Sequence, residues 1–177
     1  MKINFFKLSV YFISSLILIL FLFGLNKDNT YDTRSLINKN IGKFQLQSLD
    51  GVQEINQEDL KNNKFTLINF WGSWCAPCRK EHKFLLSLYK DNTLKMLGIN
   101  YKDKKKNAEI FLKDLGNPYH FVGQDLKGKI SVSFGIYGIP ESILIDSNLI
   151  IIKKFVGPLD ENDLNEILRL VKSNEKF

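Results

Sequence analysis

The sequence predicts an α/β domain in which a mixed β-sheet is flanked by helices. Three observations carry that expectation. An apolar run at residues 65–71 passes through a cysteine-containing turn into a helical pattern, and a second strand and helix follow at once. Two β-rich runs, residues 142–145 and 150–156, flank Asp146-Ser147-Asn148 and read as a hairpin, which gives the sheet an antiparallel edge. A last segment sets Leu164, Ile167, Leu168 and Val171 on one helical face, with Asp160 and Asp163 placed to cap it.

Taken in chain order, residues 8–25 form a stretch of 18 uncharged positions preceded by Lys2 and Lys7. That is long enough for one transmembrane helix. Its end, Phe21-Leu22-Phe23-Gly24-Leu25, keeps large apolar side chains where a cleavable signal would carry small ones, so residues 1–25 are expected to stay as an anchor. No cysteine stands there for lipid attachment. Lys27, Arg34, Lys39 and Lys43 outnumber the two lysines before the segment, so the loop charges do not fix its orientation. Long domains translocate largely regardless of charge, which leaves the folded part in an oxidising, extracytoplasmic compartment. Residues 26–40 are polar and aperiodic and read as a tether. Residues 41–177 then make a single domain with ample Phe, Leu and Ile for a core.

Within that domain Phe44, Leu46 and Leu49 suggest a strand ended by the turn Asp50-Gly51. Residues 65–71 read as a buried strand, residues 76–90 as an amphipathic helix with Pro77 in its first turn, and residues 94–101 as a second strand. Ala108, Phe111, Leu112 and Leu115 mark a helix stopped by Gly116-Asn117-Pro118. Trp71, Phe70, Phe84 and Phe111 are expected in the core. Gly135-Ile136-Tyr137-Gly138 is too sparse for a phosphate loop and reads as a turn. The formal net charge of +6 is mild for 177 residues. The cluster Lys102-Asp103-Lys104-Lys105-Lys106 reads as a solvated helix start, and nothing suggests a nucleic-acid groove.

The chemistry lies in Trp74-Cys75-Ala76-Pro77-Cys78, which holds both cysteines of the chain. A Cys-x-x-Cys turn at a helix start puts the first sulfur beside unpaired N–H groups and the positive end of the helix dipole, which favours thiolate. Cys78, one turn on, can close a disulfide with Cys75 that is made and broken as a unit, passing two electrons. A purely structural bridge would restrict the unfolded chain little across so short a loop. A soft-metal site would have to draw on Cys75, Cys78, His82 and the distant His120, a thin set in a chain with two methionines. Covalent haem is excluded, because Arg79 and not His follows Cys78.

These residues carry a family resemblance. Strand, Trp-Cys-x-x-Cys, helix, then Gly138-Ile139-Pro140 before a hairpin is similar to the thioredoxin superfamily, in which a cis-proline, here Pro140, faces the dithiol. The combination with Asn100-Tyr101-Lys102-Asp103, Asn117-Pro118-Tyr119 and Gly135-Ile136-Tyr137-Gly138-Ile139-Pro140-Glu141 resembles the membrane-anchored thiol:disulfide interchange proteins of cytochrome c biogenesis, the CcmG/DsbE type.

The resemblance implies a thioredoxin-like fold behind one transmembrane helix, with the soluble domain in the periplasm of a bacterium and the helix in the inner membrane. It implies a dithiol reductase of apocytochrome c, acting on Cys-x-x-Cys-His before haem attachment. The implied partners are the apocytochrome, a membrane electron donor of the DsbD/CcdA type and the cytochrome c maturation machinery, with no cofactor beyond the Cys75–Cys78 disulfide. Cys75 would attack and Cys78 resolve, the former exposed and the latter shielded. A broader periplasmic exchange protein, or a soft-metal delivery module built on Cys75, Cys78 and His82, are the alternatives. Asn69 stands where thioredoxins carry a buried, proton-shuttling Asp, and it cannot titrate. Glu81, three residues past Cys78 and on the same helical face, is the candidate replacement. Trp74, Tyr137, Ile139 and Glu141 are expected to line the substrate site, though for Tyr137 and Glu141 a packing or surface role explains the residue about as well.

Overall fold

The computed structural model describes residues 5–25, 36–91 and 93–173. The chain divides into two compact units, Met1–Asp32 and Thr33–Phe177. In the first, α1 (Phe5–Leu25) has mean hydropathy 2.2 over Phe5–Gly24, and none of that window is buried. At 1.5 Å per residue it is long enough and apolar enough to cross a bilayer.

The second unit contains a seven-stranded sheet in the order β2-β1-β5-β4-β3-β6-β7. Its strands are β1 (Gln45–Ser48), β2 (Glu54–Asn56), β3 (Phe65–Trp71), β4 (Leu94–Tyr101), β5 (Phe121–Asp125), β6 (Glu141–Asp146) and β7 (Ile151–Val156). The helices are α2 (Glu58–Lys61), α3 (Ala76–Leu88), α4 (Lys105–Leu115), α5 (Lys129–Ser133) and α6 (Glu161–Ser173). β3, β4 and β5 run parallel, and every other pairing is antiparallel.

All seven residues of β3 are buried, because helices cover both faces of this central strand. Its side chains alternate as the pleat requires. Leu67 and Trp71 join Leu85, Leu88, Met96, Phe111, Leu144, Ile167 and Val171 on the side of α3, α4 and α6. Ile68 and Phe70 join Leu46, Leu60, Leu97, Ile99, Phe134 and Ile143 on the other. Each such side chain removed from water contributes about 2 kcal/mol relative to an exposed position. At Gly98 a Cβ would lie 2.8 Å from the Tyr119 ring and 2.9 Å from Trp71 Nε1. The bare backbone therefore lets Trp71 and Tyr119 stack with centroids 5.7 Å apart.

Asp160 and Asp163 form a reciprocal cap on α6: Asp160 Oδ1 accepts from Asn162 N and Asp163 N, and Asp163 Oδ2 accepts from Asp160 N. Two expectations need correction, and several short elements escaped the sequence reading. The hairpin partner β2 and the short elements α2, β5 and α5 carry too few periodic apolar positions to be read from sequence. Phe84 is half-buried and not core, since its position on α3 turns it to the rim, where Lys83 Nζ lies 4.7 Å from the ring centroid. Of the tether, residues 26–35 lie outside the described residues, while residues 36–40 belong with the domain. Asn38 N donates to Ile151 O, Ile151 N donates to Lys39 O, and Asn40 bridges Ile150.

Candidate active site

The central strand β3 delivers the chain to the C-terminal end of the parallel strands, and the next residues turn into α3. Cys75 is the N-cap of that helix, in extended conformation, and its sulfur accepts the Cys78 N–H at 3.1 Å. The first sulfur thus occupies the place of a capping oxygen. Cys75 and Cys78 are joined by a disulfide of 2.06 Å, with Cα atoms 5.3 Å apart.

Cys75 is less open than expected. It is 4% exposed and Cys78 1% exposed, because residue 139 lies over the first sulfur: Cys75 Sγ sits 3.7 Å from Ile139 O. Ile139–Pro140 is cis, as the sequence reading expects. Trp74 and Tyr137 stand out into solvent, 58% and 79% exposed, while Ile139 is half-buried and packs against the core.

A carboxylate braces the turn before the cysteines. Asp103 Oδ2 accepts from Ser73 N at 2.6 Å and Asn100 Nδ2 at 3.0 Å, and Oδ1 accepts from Ser73 Oγ at 2.9 Å and Lys104 N at 2.8 Å. Sequence reading placed Asp103 in a solvated cluster. It is buried, and the cluster around it is exposed, with Lys105 paired to Glu109. The only sequence signal was its place in Asn100-Tyr101-Lys102-Asp103.

One turn beyond Cys78 on α3, Glu81 belongs to a buried polar group. Asn69 Nδ2 donates to Glu81 Oε1 at 2.9 Å and to Ser142 Oγ at 3.0 Å, while Asn69 Oδ1 accepts from Tyr119 Oη at 2.7 Å. Glu81 Oε2 accepts from Leu159 N at 2.8 Å. Burial is the main influence on Glu81 and pushes its carboxyl from 4.5 up to about 7, against the lowering effect of the Leu159 and Asn69 hydrogen bonds. Tyr119 is raised well above 10 by burial and the Glu81 charge, so it stays a donor. Neither Tyr119 nor Ser142 was a sequence candidate.

Glu141 faces inward. Its Oε2 lies 2.7 Å from Lys154 Nζ, with both side chains essentially buried, and its Oε1 accepts from Tyr137 N and Gly138 N at 3.1 Å each. A carboxylate so enclosed has no surface to offer a substrate, which corrects the expectation of direct contact. The register explains it: β6 alternation puts Glu141 on the same face as Ile143, whose cross-strand neighbour is Lys154.

His82 is likewise committed, since Nε2 makes a 2.8 Å hydrogen bond to Gly116 O and the ring meets Phe111 edge-on. His120 Nδ1 accepts from Met96 N at 3.2 Å. Among the described residues no group of three or more His, Cys, Asp or Glu converges as a metal site.

The chain matches the Redoxin family over residues 37–169. It is 48% identical over 113 residues to the thiol:disulfide interchange protein CycY of Rhizobium leguminosarum bv. viciae, covering 64% of this chain and 60% of that protein. The chain thus spans less than two thirds of that relative's length. It is 40% identical over 134 residues to the thiol:disulfide interchange protein DsbE of Escherichia coli K12, covering 75% of this chain and 72% of that one. Among solved structures, a secreted thiol-disulfide isomerase from Corynebacterium glutamicum aligns with a TM-score of 0.66 at 26% identity, over 74% of this chain and 84% of that one. With its Cys75–Cys78 disulfide at the head of α3, the chain belongs to the Redoxin family and is a thioredoxin-like thiol:disulfide oxidoreductase of the DsbE interchange type.

Proposed function

We propose that this protein is the dithiol reductase that opens the disulfide in the Cys-x-x-Cys-His segment of apocytochrome c before haem attachment, held by α1 in the bacterial inner membrane with its domain in the periplasm. The observation that carries this reading is the pairing of a helix-capping sulfur with a buried carboxyl that titrates near neutrality, in a chain similar to DsbE-type proteins.

In the reduced protein the Cys75 thiolate, stabilised by the α3 N-terminus, attacks one sulfur of the substrate disulfide. That S–S bond breaks, a mixed disulfide forms on Cys75, and the first substrate sulfur leaves as thiolate and takes a proton. Cys78 then loses its proton and attacks Cys75 Sγ, releasing the second substrate sulfur. Two electrons have passed to the substrate, and the protein is left with its Cys75–Cys78 disulfide. A membrane donor of the DsbD/CcdA type restores the dithiol.

Glu81 supplies the base for Cys78. Both of its oxygens face N–H donors, from Asn69 and Leu159. A proton taken up by the carboxyl therefore has no acceptor on those two sides and is held ready for return. Trp74, Tyr137 and Ile139 form the edge along which the substrate chain lies.

The test uses the full-length protein in detergent, reduced, with an oxidised Cys-x-x-Cys-His peptide and an unrelated disulfide-bonded peptide. At least ten-fold higher kcat/KM on the first supports the reading, as does a mostly reduced dithiol in cells. Equal kcat/KM on both would replace it with broader disulfide exchange.

A further inference from the structure

The loop at residues 135–139 forms one wall beside Cys75, since Cys75 Sγ lies 3.7 Å from Ile139 O. Any polypeptide that brings a sulfur to Cys75 must run past it. The loop has no regular secondary structure and displays Tyr137 at 79% exposure. Its conformation is nonetheless pinned from inside. Glu141 Oε1 accepts the consecutive N–H groups of Tyr137 and Gly138, and Lys154 Nζ lies 2.7 Å from Glu141 Oε2 and donates to Gly135 O at 2.6 Å. One buried ion pair thereby holds both ends of the exposed turn. Phe134 and Ile136, packed into the core, anchor the flanks.

We propose that the buried Glu141–Lys154 pair is a positioning device for docking, which presets the loop so that Tyr137 and Ile139 meet the substrate peptide in one arrangement. This rests on the reading above that the substrate is a polypeptide. Neither residue touches substrate, so both are positioning residues. A buried ion pair is an expensive way to gain stability, because its desolvation cost rivals its Coulombic gain and an apolar replacement is often neutral. What an apolar pair cannot do is accept two backbone N–H groups at one point. An ionised carboxylate does so with charge-assisted bonds, and a loop held in its bound shape avoids the ordering cost on association.

The test compares E141Q/K154M, which keeps a neutral acceptor for the Tyr137 and Gly138 amides, with E141L/K154M, which removes it. Both remove the two charges of the Glu141–Lys154 pair together. For each, kcat/KM on an oxidised peptide lacking any haem-binding motif is divided by the rate at which dithiothreitol reduces the Cys75–Cys78 disulfide. The expected result is a ratio about ten-fold or more lower in E141L/K154M, carried mainly by KM. Equal ratios, or a loss shared equally with dithiothreitol, would overturn the proposal. A second measurement needs no variant: the Tyr137 and Gly138 amides should exchange hydrogen about a hundredfold more slowly than unprotected amides, and unprotected exchange would overturn it too. The apocytochrome reading fails separately, in the unmodified protein, if the Cys-x-x-Cys-His peptide has no advantage.

Discussion

Asn69 donates its side-chain amide to the Glu81 carboxylate at 2.9 Å, in a space where both residues are fully buried. The strand position that holds a titrating Asp in thioredoxins thus holds instead the donor that orients a titrating Glu on α3.

Glu81 should make folding stability pH-dependent. Its carboxyl rises from 4.5 in the unfolded chain to about 7 in the folded one, so the folded state binds the proton more tightly. The contribution is fully present below about pH 4.5 and is lost as pH rises through 7, a swing of about 3 kcal/mol. Glu81→Gln removes the titration. Its amide is accommodated if the Asn69 amide turns over, giving Oδ1 to the new N–H and Nδ2 to Tyr119 Oη. Measured by denaturation of the oxidised protein, the stability difference should move towards the variant by about 3 kcal/mol between pH 4.5 and 7.5. The same variant should exchange disulfides about ten-fold or more slowly near neutral pH. A pH-independent stability difference would show that Glu81 does not titrate in this window.

The order of attack should be visible in single-cysteine variants. Cys75 caps α3 at the outer edge beside Ile139, whereas Cys78 lies inside the first turn. Cys78→Ser should trap a mixed disulfide with substrate, and Cys75→Ser should not. Equal trapping by both, read on non-reducing gels, would overturn the assignment.

Asp103 should stiffen the redox loop. Each of its oxygens receives two donors, so Asp103→Asn must set an NH2 against N–H or O–H groups. The expected cost is about 2 kcal/mol, with faster hydrogen exchange at the Ser73 amide. Unchanged exchange there would mean the loop is held by other contacts.

What the sequence disclosed was whatever periodicity or covalent chemistry announces. The β3-Cys75-α3 junction, the β6–β7 hairpin and Pro140 were legible because each leaves a local pattern. Glu81 could be singled out because Cys78 sits one turn before it on the same helix, and the structure finds it buried. Asp103, Tyr119 and Lys154 were not legible, since their meaning arises from residues 30, 50 and 13 positions away. Glu141 was misjudged for the same reason: a charged residue beside a cis-proline looks exposed until β7 supplies its counter-ion. Phe84 shows the converse, an aromatic whose helical phase turns it to the rim.

Retention of α1 should be tested directly. Its 20-residue apolar window, with no buried surface, suits a bilayer. If it stays attached, the full chain should remain in the membrane fraction through alkaline carbonate. Recovery of a soluble form beginning near residue 26 would mean that the segment is cleaved.

Tyr119 should set the protonation of Glu81 without touching it. Its hydroxyl donates to Asn69 Oδ1 and so keeps Asn69 Nδ2 turned towards Glu81. Because Tyr119 is raised well above 10, it remains a donor throughout the physiological range. Tyr119→Phe leaves Asn69 Oδ1 without that partner, at a cost of about 1–3 kcal/mol. It also frees the amide to turn. With Oδ1 facing the carboxyl, Asn69 no longer stabilises the anion but accepts the O–H of the protonated form, so Glu81 should titrate at still higher pH. The pH at which Glu81-dependent stability is lost should therefore move above 7 in the variant, and disulfide exchange near neutral pH should depend more steeply on pH. The paired control is Tyr119→Phe in a Glu81→Gln background, where no carboxyl remains and the shift should vanish. If Tyr119→Phe costs stability but leaves the titration in place, Tyr119 is only a packing residue and the orientation of Asn69 is fixed by Ser142.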